Sequence, residues 1–236
     1  MLRQKFVLIT ILFLYAPYFY AQTIVNINFD EVKRVTKDSS TSAYYPTLLN
    51  RLRQFDTTLT LSDFKLLYYG NVFTDNYNPY DFGSKKEDRF NELYKAGNLK
   101  EALAEGKQLF EENPVNIRLL YRMMYCCEEL KQMELGQKFA NCYFGFIYSI
   151  LASGNGNSIE TAYVVTRVAD EYSILKHLHL NNTTQALVGY TDVLTINLKQ
   201  QKKVKGKKKV KELYFNVQMP FQQLSKMLKK SESPDK

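Results

Sequence analysis

Tyr44, Tyr45, Tyr68, Tyr69, Tyr77, Tyr80 and Phe82 crowd into a short stretch of the chain, and their chemistry is that of recognition. A tyrosine offers a flat apolar face and a hydroxyl, a combination suited to stacking on a sugar or anchoring a peptide. Tyr68, Tyr69, Tyr77, Tyr80 and Phe82 are the candidate binding residues. The other reading of the same residues is that the Asn76 to Gly83 loop packs its own aromatics onto neighbouring helices.

Catalysis has weaker footing. Ser62-Asp-Phe-Lys65 and Ser173-Ile-Leu-Lys176 both fit the Ser-x-x-Lys pattern of serine acyl enzymes, but neither Lys-Thr-Gly nor Ser-Asp-Asn accompanies them. Two hits in one chain show how easily the pattern arises. Hydrolysis of a polymer would need two carboxylates about 5 to 10 Å apart, drawn from Asp56, Asp63, Asp81, Asp170 and Glu171. His177 and His179 fall on different sides of a helix, and Asp170 lies about two turns from His177, too far to pair with it. With two histidines and no Cys-x-x-Cys, a zinc site has no basis. No glycine-rich phosphate loop is present, and the sequence implies no cofactor and no catalytic residue.

The elements that must position these residues are mostly helical. Thr23 to Ser42 reads as an extended lead-in or a short helix. A helix begins at Tyr45 or Pro46 and runs to Phe55, with Leu48, Leu49 and Leu52 on one face. Thr60-Leu-Ser-Asp63 is a variant capping box opening a helix that ends at Tyr69, with Gly70 as a left-handed cap. Phe90, Leu93, Tyr94 and Gly97, then Leu99, Ala102, Leu103, Gly106 and Phe110, repeat at helical spacing and predict a hairpin closed by Pro114. Ile117, Leu120, Met124 and Cys127 line a third helix of this run, and Leu135, Phe139, Cys142, Phe146 and Ile150 a fourth. A second apolar row at Tyr143 and Ile147 predicts burial of the fourth on two sides.

After Gly154-Asn-Gly-Asn157, Ala162 to Thr166 reads as extended, and Val168 to Leu178 as a helix with Val168, Tyr172 and Leu175 on one face. Gln185 to Val188, Asp192 to Leu198 and Val210 to Val217 then show a period of two and predict a three-stranded antiparallel meander. A closing helix follows Pro220, with Phe221, Leu224 and Leu228, before a disordered tail from Ser231 to Lys236. The fold class is α+β, predominantly α, divided into a helical region, 22–153, and a smaller α/β region, 154–230, packed on it.

Two resemblances attach to these segments. Leu93 to Pro114, with Gly97 at the turn and Ala102 at the contact between helices, resembles one tetratricopeptide repeat; Asn116 to Ser153, with Lys131 in place of the turn glycine, follows it poorly. The set Asp63-Phe-Lys-Leu-Leu-Tyr-Tyr-Gly70, Tyr77-x-Pro-Tyr80, Thr161-Ala-Tyr-Val-Val165, Asp170-Glu-Tyr172, Gln185-Ala-Leu187 and Leu213-Tyr-Phe-Asn216 is similar to an exported Bacteroidetes family, the domain of unknown function 4919. That resemblance implies an envelope location and a helical core, and it carries no catalytic residue.

Charge and the N-terminus narrow the setting. Arg3 and Lys5 precede an uncharged run from Phe6 to Ala21, which reads as an export signal over residues 1–21 and predicts a periplasmic or secreted protein. Pro17 and the small residue at its end set this run apart from a membrane-spanning helix, so no transmembrane segment is expected after cleavage. The formal charge of +8 becomes +6 without Arg3 and Lys5, and −2 without the eight lysines between Lys199 and Lys211. Basicity confined to one short segment is that of a solvated loop tip or an anionic-surface contact, and it argues against nucleic acid as partner. Cys126, Cys127 and Cys142 are expected as buried apolar residues, with one bridge to Cys142 as the other possibility. The function expected is non-catalytic holding of an envelope protein or glycan; the alternative is a hydrolase of an envelope polymer.

Overall fold

The computed structural model describes residues 27–80, 85–201 and 209–232. The expected export signal, Asp81, Phe82, most of the lysine block and residues 233–236 lie outside them. Among the described residues no helix is long and apolar enough to cross a membrane.

Three helices form the first layer. The lead-in is helical: α1 (Phe29–Lys37) starts where the Asn28 side chain accepts the Glu31 N–H. In α2 (Tyr45–Arg53), Pro46 occupies the first turn, where its missing N–H costs nothing, and Leu48 and Leu52 are fully buried. The capping box of α3 (Leu61–Gly70) is complete: Thr60 Oγ1 accepts from the Asp63 N–H at 3.2 Å and Asp63 Oδ2 from the Thr60 N–H at 2.8 Å. Gly70 departs from expectation. Its φ is −68°, right-handed, and the chain continues into a 3-10 turn over Asn71–Phe73. The glycine is needed for space, since a Cβ there would lie 2.9 Å from the Tyr45 ring and 3.0 Å from the Thr36 methyl.

The next four helices stack as hairpins: α4 (Lys85–Lys95), α5 (Leu99–Glu112), α6 (Ile117–Glu129) and α7 (Met133–Leu151), each packed on the one before it. Gly97 turns the first hairpin at φ +77°, and fully buried Ala102 sits on the inner face of α5. Lys131 adopts φ +59° between α6 and α7, so a residue with a Cβ takes the conformation a glycine would take freely. The two apolar rows of α7 are both buried, because α7 packs on α6 along one side and on α3 along another. Cys126, Cys127 and Cys142 are buried free thiols, and burial pushes the Cys142 thiol up to about 12.

The sheet has four strands in the order β1-β4-β3-β2, one more than the expected meander. β2 (Asn182–Val188), β3 (Thr191–Ile196) and β4 (Glu212–Asn216) pair antiparallel as expected, so the lysine block falls in the connection between β3 and β4. The addition is β1 (Tyr163–Val164), which pairs parallel with β4. Two residues are too few to display a period, which is why the segment reads only as extended. Between β1 and β2 lies α8 (Ala169–His177), and α9 (Gln218–Glu232) closes the chain, so Ser231 and Glu232 belong to a helix where a tail was expected. A continuous apolar core joins helices to sheet, from Leu48 and Phe64 through Phe146 to Val165 and Phe215.

Two helices approach closely at Gly145 in α7. A Cβ there would meet the Phe64 ring of α3 at 2.6 Å, and Phe64 is already in edge contact with Phe146 at 5.4 Å. Gly145→Ala is expected to destabilise by about 1–3 kcal/mol through overpacking, read as a lower urea midpoint, with Phe64→Leu in the same chain restoring part of the loss. An unchanged midpoint would show that the layers are not packed this tightly.

Candidate functional site

The tyrosine cluster lies inside the protein. Tyr68 and Tyr69 are fully buried, Tyr77 is buried and Tyr80 is half-buried. Tyr68 Oη donates to Asp170 Oδ2 at 2.7 Å and accepts the Thr166 N–H at 3.0 Å. Tyr77 Oη donates to the Thr166 carbonyl at 2.6 Å, and Tyr69 Oη to the Val164 carbonyl at 3.1 Å. Three tyrosines from α3 and the following loop therefore satisfy backbone groups of Val164, at the end of β1, and of Thr166 beyond it, which would otherwise be buried unpaired. Tyr68, Tyr69 and Tyr77, expected to face a ligand, brace the interior.

The acids divide into two sets. Asp56 pairs with Arg51 at 2.7 Å near the surface, where the Thr58 hydroxyl first and Arg51 second lower its carboxyl to about 2. Asp63 is occupied in the capping box. Asp170 and Glu171 are the other set, 1% and 0% exposed on the inner face of α8. That face is Asp170, Glu171, Ile174 and Leu175; Tyr172, grouped by spacing with Val168 and Leu175, is 47% exposed. The apolar period misassigned the face because two of its four buried positions are carboxylates.

Each carboxylate has its own surroundings. Burial pushes Asp170 up to about 6, opposed by the buried Arg167 guanidinium and the Tyr68 hydroxyl. Burial and then the charge of Asp192 push Glu171 up to about 10. Gln185 Nε2, on β2, donates to Asp192 Oδ2 at 2.8 Å and to Glu171 Oε2 at 3.4 Å, while Tyr172 Oη donates to Gln185 Oε1 at 2.8 Å. The set ties α8 to the sheet. Glu171 Oε1 and Thr166 Oγ1 have no hydrogen-bond partner among the described residues.

The outer face of α8 borders a cleft of about 300 Å³ that the apolar periods did not reveal. α4 contributes Tyr94, α6 contributes Arg118, Tyr121 and Arg122, α7 contributes Tyr143, and α8 contributes Ala169, Tyr172, Ser173 and Lys176. The spacing of Arg118, Tyr121 and Arg122 at i, i+3 and i+4 was the available signal. Lys176 Nζ stands 3.6 Å from the Tyr121 ring centroid, and the Arg122 guanidinium 5.3 Å from that of Tyr94. Arg122 also donates to Asn91 Oδ1, and burial first, then the Arg118 charge, hold its guanidinium below the ordinary range. No lining residue is acidic; the carboxylate whose charge reaches Arg122 is Glu87, which accepts from Asn116 Nδ2. Ser173 Oγ donates to the Ala169 carbonyl and Lys176 lies on Tyr121, so this Ser-x-x-Lys pair is not arranged as nucleophile and base. His177 contacts the rings of Phe144 and Tyr148.

Two tests follow from the buried set. Tyr68→Phe leaves Asp170 and the Thr166 N–H short of a partner, so a loss of about 1–3 kcal/mol is expected in chemical denaturation, and no loss would show that this contact does not brace the fold. Glu171 holds its proton to about 10 in the fold but loses it near 4.5 in the open chain, so between those values unfolding releases a proton and stability falls as pH rises. Glu171→Gln mimics the protonated group. Its stability relative to the parent should therefore rise from about pH 5 to about pH 9, and parallel curves would show that Glu171 is ionised in the fold.

No curated protein and no solved structure matches this chain. Residues 30–226, most of its length and all of its braced core, match the family described as a domain of unknown function (DUF4919), and the chain belongs to that family.

Proposed function

We propose that this protein is a non-catalytic binding module of the cell envelope, exported like the Bacteroidetes proteins its sequence resembles, which holds a protein or glycan in the cleft between α4, α6, α7 and α8. The observation that carries the reading is the construction of that cleft: Lys176 and Arg122 are presented on tyrosine rings, beside no nucleophile–base pair. Such a surface recognises; it has nothing with which to activate water. The likeness of α4 and α5 to a tetratricopeptide unit supports the same reading, because stacked helical hairpins present concave binding faces. Tyr77 itself takes an internal role, through its hydrogen bond to the Thr166 carbonyl.

The hydrolase reading rests on one observation, that Asp170 and Glu171 are adjacent and displaced to about 6 and about 10, as an acid and a base would be. Both are buried and neither lines the cleft, so substrate has no path to them and binding is the preferred reading.

The test is a crosslinked pull-down from the envelope fraction together with a glycan panel, comparing the parent protein with Tyr172→Ala/Lys176→Ala. Both side chains are exposed, so the double variant is expected to keep its fold. A ligand retained by the parent and lost by the variant is the expected outcome. A ligand held equally by both would move the site away from this cleft.

A further inference from the structure

The cleft contains a polar group with no protein partner. Tyr143 is 3% exposed, lines the cleft from α7, and its hydroxyl makes no hydrogen bond to any described residue. Burial pushes that hydroxyl up to about 12, so it stays protonated and able to donate. Tyr121, in edge contact with Tyr143 at 5.7 Å, also has a hydroxyl without a partner among the described residues. Both hydroxyls face the cleft, where water reaches them, and each can donate to or accept from a bound ligand. Around these hydroxyls stand Arg118, Arg122 and Lys176. Arg118 and Arg122 are four residues apart on α6, so both charges fall on the same side of the cleft.

Resting on the binding reading above, we infer that the ligand of this cleft is an acidic sugar, its carboxylate or phosphate held by Arg122 and Lys176 and its ring hydroxyls by Tyr121 and Tyr143. Charge selects the anion. The guanidinium of Arg122 can grip a carboxylate or phosphate through two N–H donors, and the ammonium of Lys176 adds a point charge. The tyrosine hydroxyls select a body rich in hydroxyls. A peptide would be taken along a strand edge or in an apolar helix-binding groove, and this cleft, lined by cations and hydroxyls between four helices, is neither. Its volume of about 300 Å³ is at the small end for ligand sites, which fits one sugar unit better than a folded segment. Glu87 neutralises part of the charge without entering the lining, so the entering anion does not meet a carboxylate.

The experiment is isothermal titration of the purified protein with glucuronate, a hexose phosphate, glucose and a short acidic peptide, at low and high salt. At least one acidic sugar is expected to bind about tenfold or more tightly than glucose, and more weakly at high salt, since partly exposed charges are screened. Preference for glucuronate names the carboxylate as source of the anion; preference for the hexose phosphate names the phosphate. Lys176→Ala and Arg122→Gln should each cost about tenfold for the acidic sugar and leave glucose unaffected. Tyr143→Phe should weaken binding severalfold while the melting temperature holds, because the hydroxyl removed has no hydrogen-bond partner among the described residues. Glucose bound as tightly as the acids would overturn the anionic assignment and leave the binding reading standing. Preference for the peptide would overturn the sugar. Silence of all four probes would overturn the inference, while the pull-down separately decides whether the cleft binds anything.

Discussion

The hydrogen bond from Tyr68 to Asp170 is the contact on which the arrangement of this protein turns. It joins α3 to α8 across more than a hundred residues of chain, and the same tyrosine oxygen accepts the Thr166 N–H. Without it, the chain between α7 and α8 would carry unpaired backbone groups and a carboxylate into an apolar interior. Arg167, itself buried, supplies the countercharge that makes an acid tolerable there. Tyr77 and Tyr69 extend the brace on either side, so the aromatic load of α3 and the following loop is explained by what this segment needs.

α8 serves two faces at once. Its inner side carries Asp170 into the tyrosine brace and Glu171 into the Gln185 and Asp192 set of the sheet. Its outer side carries Tyr172, Ser173 and Lys176 to the cleft. Tyr172 touches both, since its hydroxyl reaches Gln185 while its ring borders the cleft. The position of Lys176 over Tyr121 is therefore set by buried contacts on the opposite face of a nine-residue helix, which has little length over which to flex.

Much of this architecture was legible in the sequence. The capping box at Thr60 and Asp63, the Gly97 turn, the two apolar rows of α7 and the antiparallel strands all follow from local rules, because each is decided by neighbours in the chain. Long-range packing decided the rest. Gly70 was read by its freedom to turn, but its role is to admit Tyr45 and Thr36, which no local rule contains. The parallel strand β1 exists only because β4 lies beside it. The candidate tyrosines were correctly singled out as exceptional, yet their type does not say whether a hydroxyl will meet a ligand or a backbone carbonyl. The inner face of α8 was missed because apolar periodicity assumes that carboxylates point outward.

The same limit explains why the cleft was hidden. Its cations come from α6 and α8, separated by half a hundred residues, and the rings that hold them come from α4 and α6, so no window of sequence contains the arrangement. What the sequence does contain is a near-neutral balance once the export signal and lysine block are set aside. A cleft with three cations and no acid in its lining is therefore a local departure from the average of the fold. Spread evenly, these charges would be of little consequence; gathered in one cleft, they raise the local potential for an anion above what any of them gives alone. The brace that fixes α8 is what keeps them gathered when no ligand is there to do so, and pre-organisation of that kind lowers the cost of binding.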